Sequence, residues 1–175
     1  MFDREKFKAL VHYICYQRSH DPSTLGAIKL NKILWLCDFI SYLKWKDAIT
    51  DARYVRRRLG PVPHPIVPIL RELESEGVLT VRDTYYHGYK KAEYLVHRVA
   101  SGDFLTPEEK MLVAKMIDFV CDEHTATSIS ERSHHDVWKA AQDGEEIPYY
   151  TVFVNPGDIT QEDRDWAHFQ LESGS

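Results

Sequence analysis

Residues 27 to 43 read Ala27-Ile-Lys-Leu-Asn-Lys-Ile-Leu-Trp-Leu-Cys-Asp-Phe-Ile-Ser-Tyr-Leu43, and the fold turns on this stretch. Apolar side chains at Ile28, Leu30, Ile33, Leu34, Leu36, Cys37, Phe39, Ile40 and Leu43 cover most of a helical circumference. A helix with a single apolar stripe lies on a surface, whereas one that is apolar nearly all round has to be enclosed by other elements. The stretch is therefore predicted to be the central helix of the core, with Lys29 and Lys32 together on its one exposed side. Its most hydrophobic part, Lys32 to Leu43, is too short and too often interrupted by polar residues to cross a bilayer.

On the amino-terminal side, Phe7, Leu10, Val11, Ile14 and Cys15 recur at helical spacing between charges, which predicts an amphipathic helix from Asp3 to Arg18. His20 to Thr24 breaks that pattern. On the other side the period disappears from Lys44 to Pro63, except for a short extended piece at Ala52 to Val55. Gly60-Pro-Val-Pro63 reads as turn chemistry, because each proline fixes its own backbone and restricts the residue before it. A further helix should start near Pro65 and stop at Gly77. Pro68 sits within its first turn, where the backbone donors have no carbonyl to reach.

Val78 to Val99 alternates as a β-hairpin with its turn at Gly88. Thr106-Pro-Glu-Glu109 opens another helix with an N-cap, a proline at the first helical position and the acid of a capping box. A short helix containing Ile129 should follow, then a piece carrying Val137 and Trp138, an extended run from Tyr149 to Val154, and a last short helix capped by Thr160. The expected fold is mainly α with a small β-hairpin, an α+β domain whose helix, helix, hairpin order is that of a winged helix. Residues 1–150 are expected to form one domain and residues 151–175 a C-terminal extension.

The 175 residues are 43% apolar and 28% charged, an ordinary balance for a globular chain. Net charge is -5, but the division is uneven: residues 1–100 carry 17 Lys and Arg against 11 Asp and Glu, and residues 101–175 carry 5 against 16. The start of the chain has no secretory pattern, and Cys15, Cys37 and Cys121 show no metal-ligand spacing, so a soluble cytoplasmic protein with reduced cysteines is expected.

Chemistry-bearing patterns are few. Ser133-His-His-Asp136 has the residue types of a hydrolytic triad, but neighbours on a helix do not converge, and a helix start explains them as well. Cys121 and His124 are half of a zinc pattern that lacks a second pair. No glycine-rich loop ends in Lys-Ser or Lys-Thr. The sharpest electrostatic feature is Arg53, Arg56, Arg57 and Arg58, together with Lys29, Lys32, Lys90 and Lys91. These cations either meet phosphates, grip an acidic protein partner, or pair with the chain's own acidic half. DNA is the weaker choice, because the helix after the turn has an acidic outer side with few residues that read base edges. Tyr85, Tyr86 and Tyr89 gather at the hairpin tip, and tyrosine and arginine are the residue types that most often anchor protein interfaces.

Lys29 to Asp38, the loop Leu59-Gly-Pro-Val-Pro63, the helix running to Glu76-Gly-Val-Leu79, and Ser130-Glu-Arg-Ser-His134 with Trp138 together resemble the SocA-like antitoxins, those built on the Panacea domain. The resemblance runs from about residue 25 to about residue 150. It implies a mostly helical, non-catalytic protein with a small β element; no cofactor or metal is expected. Its partner would be a protein toxin encoded beside it, neutralised by direct contact, with delivery to a protease as a further role found among antitoxins. A winged-helix DNA-binding regulator is the alternative. Arg56, Arg57, Tyr85, Tyr86 and Tyr89 are the expected partner-binding residues. Lys29, Lys32, Gly60, Pro61, Pro63, His134 and Trp138 carry the resemblance and are expected to be structural.

Overall fold

The computed structural model describes residues 1–86, 88–132 and 141–153. In chain order the elements are α1 (Arg4–Gln17), a 3-10 turn (Pro22–Thr24), α2 (Gly26–Trp45), β1 (Tyr54–Arg57), β2 (Gly60–Pro63), α3 (Ile66–Ser75), β3 (Leu79–Tyr86), β4 (Tyr89–Val96), α4 (Pro107–Asp122), α5 (Ala126–Arg132) and a second 3-10 turn (Tyr149–Phe153). The class is α+β, with two separate antiparallel strand pairs instead of the single hairpin expected.

Helix α2 is the centre, as its all-round apolar pattern requires. It packs against α1, α4, α5, β2, β4 and the second 3-10 turn, and Leu30, Ile33, Leu34 and Cys37 are fully buried on it. The helix ends at Lys46, which adopts a left-handed conformation (φ 61) and donates its backbone N–H to the Tyr42 carbonyl.

Around α2 the outer helices are joined by ion pairs. Arg4 and Lys8 of α1 reach Glu72 of α3, and Lys8 also reaches Glu76. These cations hold the Glu72 carboxyl down at about 2. Of the three glutamates that were to make the outer face acidic, Glu72 and Glu76 thus turn towards α1, and the exposed Glu74 accepts from Val81 N (2.8 Å), with Val67, Pro68, Arg71 and Ser75 also on the solvent side. Helix α4 joins α1 through Lys6–Glu109 (2.8 Å) and Arg18–Asp122 (2.7 Å), and it opens with the expected capping box of Thr106 and Glu109.

The turn expected at Gly60 to Pro63 is instead a strand. Arg56 faces Pro61 and Tyr54 faces Pro63. Antiparallel neighbours alternate between pairs that exchange hydrogen bonds and pairs that do not. The prolines occupy the second kind of position, where no N–H is asked of them, on a strand with one free edge. The freed edge of β1 is covered from the other side by residues 144–147. Arg56 N donates to the Glu145 carbonyl (2.8 Å), Gly144 N to the Arg56 carbonyl (2.8 Å) and Ile147 N to the Tyr54 carbonyl (2.9 Å). Residues 149–153, expected to be extended, form the 3-10 turn, drawn in by packing of the Tyr149 ring on Phe39 and Tyr42. The expected piece around Val137 and Trp138 and the helix after Thr160 lie outside the described residues.

One buried carboxylate ties α2 to the start of β1. Asp38 is fully enclosed and accepts hydrogen bonds from Thr50 N (2.8 Å), Thr50 Oγ1 (2.6 Å) and the Tyr54 hydroxyl (2.7 Å). Removing the acceptor would strand three donors in a dry interior, each costing about 1–3 kcal/mol. Asp38→Ala should therefore lower the free energy of unfolding by about 3–5 kcal/mol in chemical denaturation. A loss below about 1 kcal/mol would mean that water replaces the carboxylate and that this tie does not hold the loop.

Candidate partner-binding site

The β1–β2 turn is two residues long, Arg58 and Leu59, closed by the facing pair Arg57 and Gly60. Gly60 has φ 114, a conformation that a side chain would strain. The glycine of the quoted loop thus has a backbone reason, and Pro61 and Pro63 are buried against α2. Leu59 projects into solvent at 42% exposure, and Arg58 beside it is exposed.

Between this turn and the first turns of α2 lies a cleft of about 390 Å³. Ile28 and Asn31 form one wall, Leu59, Pro61 and Val62 the other, and Arg57, Arg58 and Asp143 the rim. Arg57 is already engaged, with Nη1 3.0 Å from Asp143 Oδ2, and Arg53 lies 3.4 Å from Glu146. Part of the basic run is thus paired with the chain's own acidic half. Among the described residues no salt bridge involves Arg58.

A second cleft of about 400 Å³ lies farther along α2, lined by Trp35, Leu36, Ile40, Lys115, Met116, Phe119 and Ile129. Lys32 lines both. Ile28, Lys32, Leu36 and Ile40 are four residues apart in turn and therefore form one ridge of the helix.

Lys29 and Lys32 are not the exposed pair expected. The Lys29 ammonium donates to the Cys121 carbonyl at the end of α4 (3.0 Å), and Lys32 is 1% exposed. A straight four-carbon stem lets lysine lie within an apolar ridge. Burial pushes its amine down to about 7.

The other expected surface is the tip of the β3–β4 hairpin, where Tyr86 faces Tyr89 and Gly88 takes φ 80. Tyr85 and Tyr89 are 76% and 80% exposed. Lys91 lies over Gly26, and its ammonium donates to the Ser23 carbonyl, so this hairpin meets α2 at the end that also lines the first cleft.

The family model described as antitoxin SocA-like, Panacea domain, matches residues 30–139. The chain belongs to that family. No curated protein and no solved structure matches it. Within this SocA-like domain the matched segment runs from the ridge of α2 through both hairpins and past α5.

Of the expected site residues, Arg57, Tyr85 and Tyr89 are exposed and Arg56 is half-buried. Tyr86 lies in β3. His134 and Trp138 lie outside the described residues, as do the Ser133 to Asp136 pattern and His87. His124, considered above as a zinc ligand, packs on the Phe119 ring with Nδ1 3.1 Å from Ser128 Oγ. Sequence reasoning missed Lys115 and the continuity of the ridge. The i, i+4 spacing of Ile28, Leu36 and Ile40 was the available signal, hidden because every face of α2 is apolar.

The two buried charges of α2 act on opposite limbs of the pH curve. Burial raises the Asp38 carboxyl to about 6, so its contribution is fully present below the unfolded value near 3.8 and is lost as pH rises through 6. Lys32 is lowered from 10.5 to about 7, so stability falls as pH drops from 10 towards 7. Between pH 7 and pH 9 the protein should gain about 2 kcal/mol more unfolding free energy than Lys32→Met, measured by denaturation at each pH. Parallel curves would show that Lys32 titrates as an exposed lysine.

Proposed function

We propose that this chain neutralises a protein toxin by binding it directly, with the first cleft and the tip of the β3–β4 hairpin as the contact surface. The observation that carries this reading is the cleft: apolar walls from Ile28, Leu59 and Val62 under a rim holding Arg57 and Arg58, with all of these but Ile28 inside the family's matched segment. A specific interface buries on the order of 800 Å² on each side, more than the cleft alone provides. The exposed Tyr85 and Tyr89, reaching out from the same end of α2, supply additional area and aromatic anchors. Tyr86 belongs to the same tip. The backbone of Arg56 also fixes β1 against residues 144 and 145.

Neutralisation of this kind needs no catalytic step. Occlusion of the toxin's active surface is sufficient, and hand-over to a protease would be a later event on the same complex. A cytoplasmic location fits a partner made in the same cell. No helix is long and apolar enough to cross a membrane among the described residues.

Co-expression with the protein encoded beside this gene provides the test. The pair should co-purify, and Arg57→Glu with Arg58→Glu should weaken binding at least tenfold and restore toxicity. Tyr85→Ala with Tyr89→Ala should cost a comparable amount, because truncated hot-spot residues lose about 2 kcal/mol or more each. Undiminished neutralisation by both double variants would refute this surface. Arg56→Glu, at a half-buried position outside the cleft lining, should weaken binding less than the Arg57 and Arg58 pair.

A further inference from the structure

The β3–β4 hairpin has one covered edge and one open edge. Backbone groups along a strand turn to its two sides in alternation. The Val78 carbonyl faces the β4 side, where it accepts from His97 N (2.8 Å), and Val81 N faces the other way, donating to Glu74 Oε1 (2.8 Å). The alternation therefore turns Val81, Asp83 and Tyr85 to the outer edge of β3, and Thr84 towards Lys91 of β4. The outer edge of β4 lies against the start of α2, where the Ala92 carbonyl approaches Gly26 and Lys91 reaches Ser23. On β3, Glu74 covers the Val81 donor, and among the described residues no group pairs with the outer N–H and C=O of Asp83 or of Tyr85.

A row of unpaired strand groups is a template for another strand. The same two residues running in the opposite direction match this row. With Asp83 opposite the second copy's Tyr85, and Tyr85 opposite its Asp83, every open donor meets an open acceptor. Thr84 then faces its own copy on the two-fold axis, a favourable cross-strand pair. The neighbouring register, with Asp83 on the axis, needs the Val81 donor that Glu74 holds, and it sets two Asp83 carboxylates directly opposite, a like-charge pair that destabilises a sheet. In the first register the row across the joint sheet runs from Asp83 to the second copy's Tyr85 and Lys90, so unlike charges share it. Tyr85, 76% exposed in the single chain, gains a neighbouring strand.

We propose that two copies of this chain pair antiparallel through Asp83 and Tyr85 of β3, joining their hairpins into one four-stranded sheet with Thr84 on the axis. Antiparallel pairing at the tips sets the two helical bodies at opposite ends of that sheet, so α3 of each copy stays clear of the other. Two residues a side make a short contact, and the dimer is accordingly a weak one that forms as concentration rises. It covers the tyrosine tip, so that pairing and toxin binding exclude one another. That exclusion rests on the toxin-binding reading, whereas the pairing does not.

Disulfide trapping in the full chain tests the pairing without any toxin. Facing residues that do not exchange hydrogen bonds lie about 4.5 Å apart at Cα, within the span of a disulfide. Thr84→Cys, treated with oxidised glutathione, should therefore give a covalent dimer, and the native Cys15, Cys37 and Cys121 are buried. The dimer should form at least fivefold faster than with Thr80→Cys, exposed on the same face of β3, or with Asp83→Cys. Asp83→Pro added to Thr84→Cys removes an outer donor and no bond to β4, so the hairpin persists and trapping should slow at least fivefold. In sedimentation the unmodified chain should gain mass with concentration, and Asp83→Pro should not. Equal rates at positions 80 and 84, faster trapping at 83, no effect of the proline, or a monomer at every concentration would overturn the proposal. Each of these failures leaves the toxin-binding reading standing.

Discussion

The cleft proposed as the binding site depends on where β1 begins, and Asp38 sets that point. Its carboxylate lies on the central helix and takes three donors from the loop that leaves that helix. Tyr54, the last of these donors, is also the first residue of β1, and its ring packs edge-on against Phe39. With Tyr54 held, the pairing of β1 with β2 places the Arg58 and Leu59 turn over the first turns of α2. The strap of residues 144–147 then closes the outer edge of β1, and Arg57 meets Asp143 there. A buried charge is a costly way to hold a loop. It is suited to fixing one arrangement, since a slipped loop would leave the carboxylate dry and unpaired.

The uneven charge division has a comparable explanation. Most of the cations that looked available for nucleic acid have partners within the molecule: Arg53 and Arg57 meet acids of the second half, Lys90 meets Asp83, and Lys29 and Lys91 meet backbone carbonyls, while Lys6 and Arg18 also meet acids of the second half. Exposed pairs of this kind contribute about 1 kcal/mol at most, so they orient elements that the apolar core already holds together. Among the described residues Arg58, exposed on the β1–β2 turn at the rim of the first cleft, makes no salt bridge.

Much of this was legible in the residues. The central helix, the capped α4, the helix after Pro65 and the hairpin around Gly88 follow from periodicity and cap chemistry, which are local. The strand at Gly60 to Pro63 was not, because two prolines in four residues argue for a turn until the register shows that neither is asked for a donor. Lys32 was placed on the surface for a related reason: a charge on an apolar helix marks its exposed side only when some side is exposed. The 3-10 turn at Tyr149 depends on rings a hundred residues away. In each miss a contact distant in sequence overrode a sound local preference.

Hydrogen–deuterium exchange of the full chain, alone and in complex with its co-purified toxin, addresses the central claim most directly. Toxin binding should slow exchange at residues 56–62 and at the 85–90 tip while leaving α3 and the outer turns of α1 unchanged. Protection confined to α3 and α1, with the β1–β2 turn exchanging as it does in the free protein, would contradict the account.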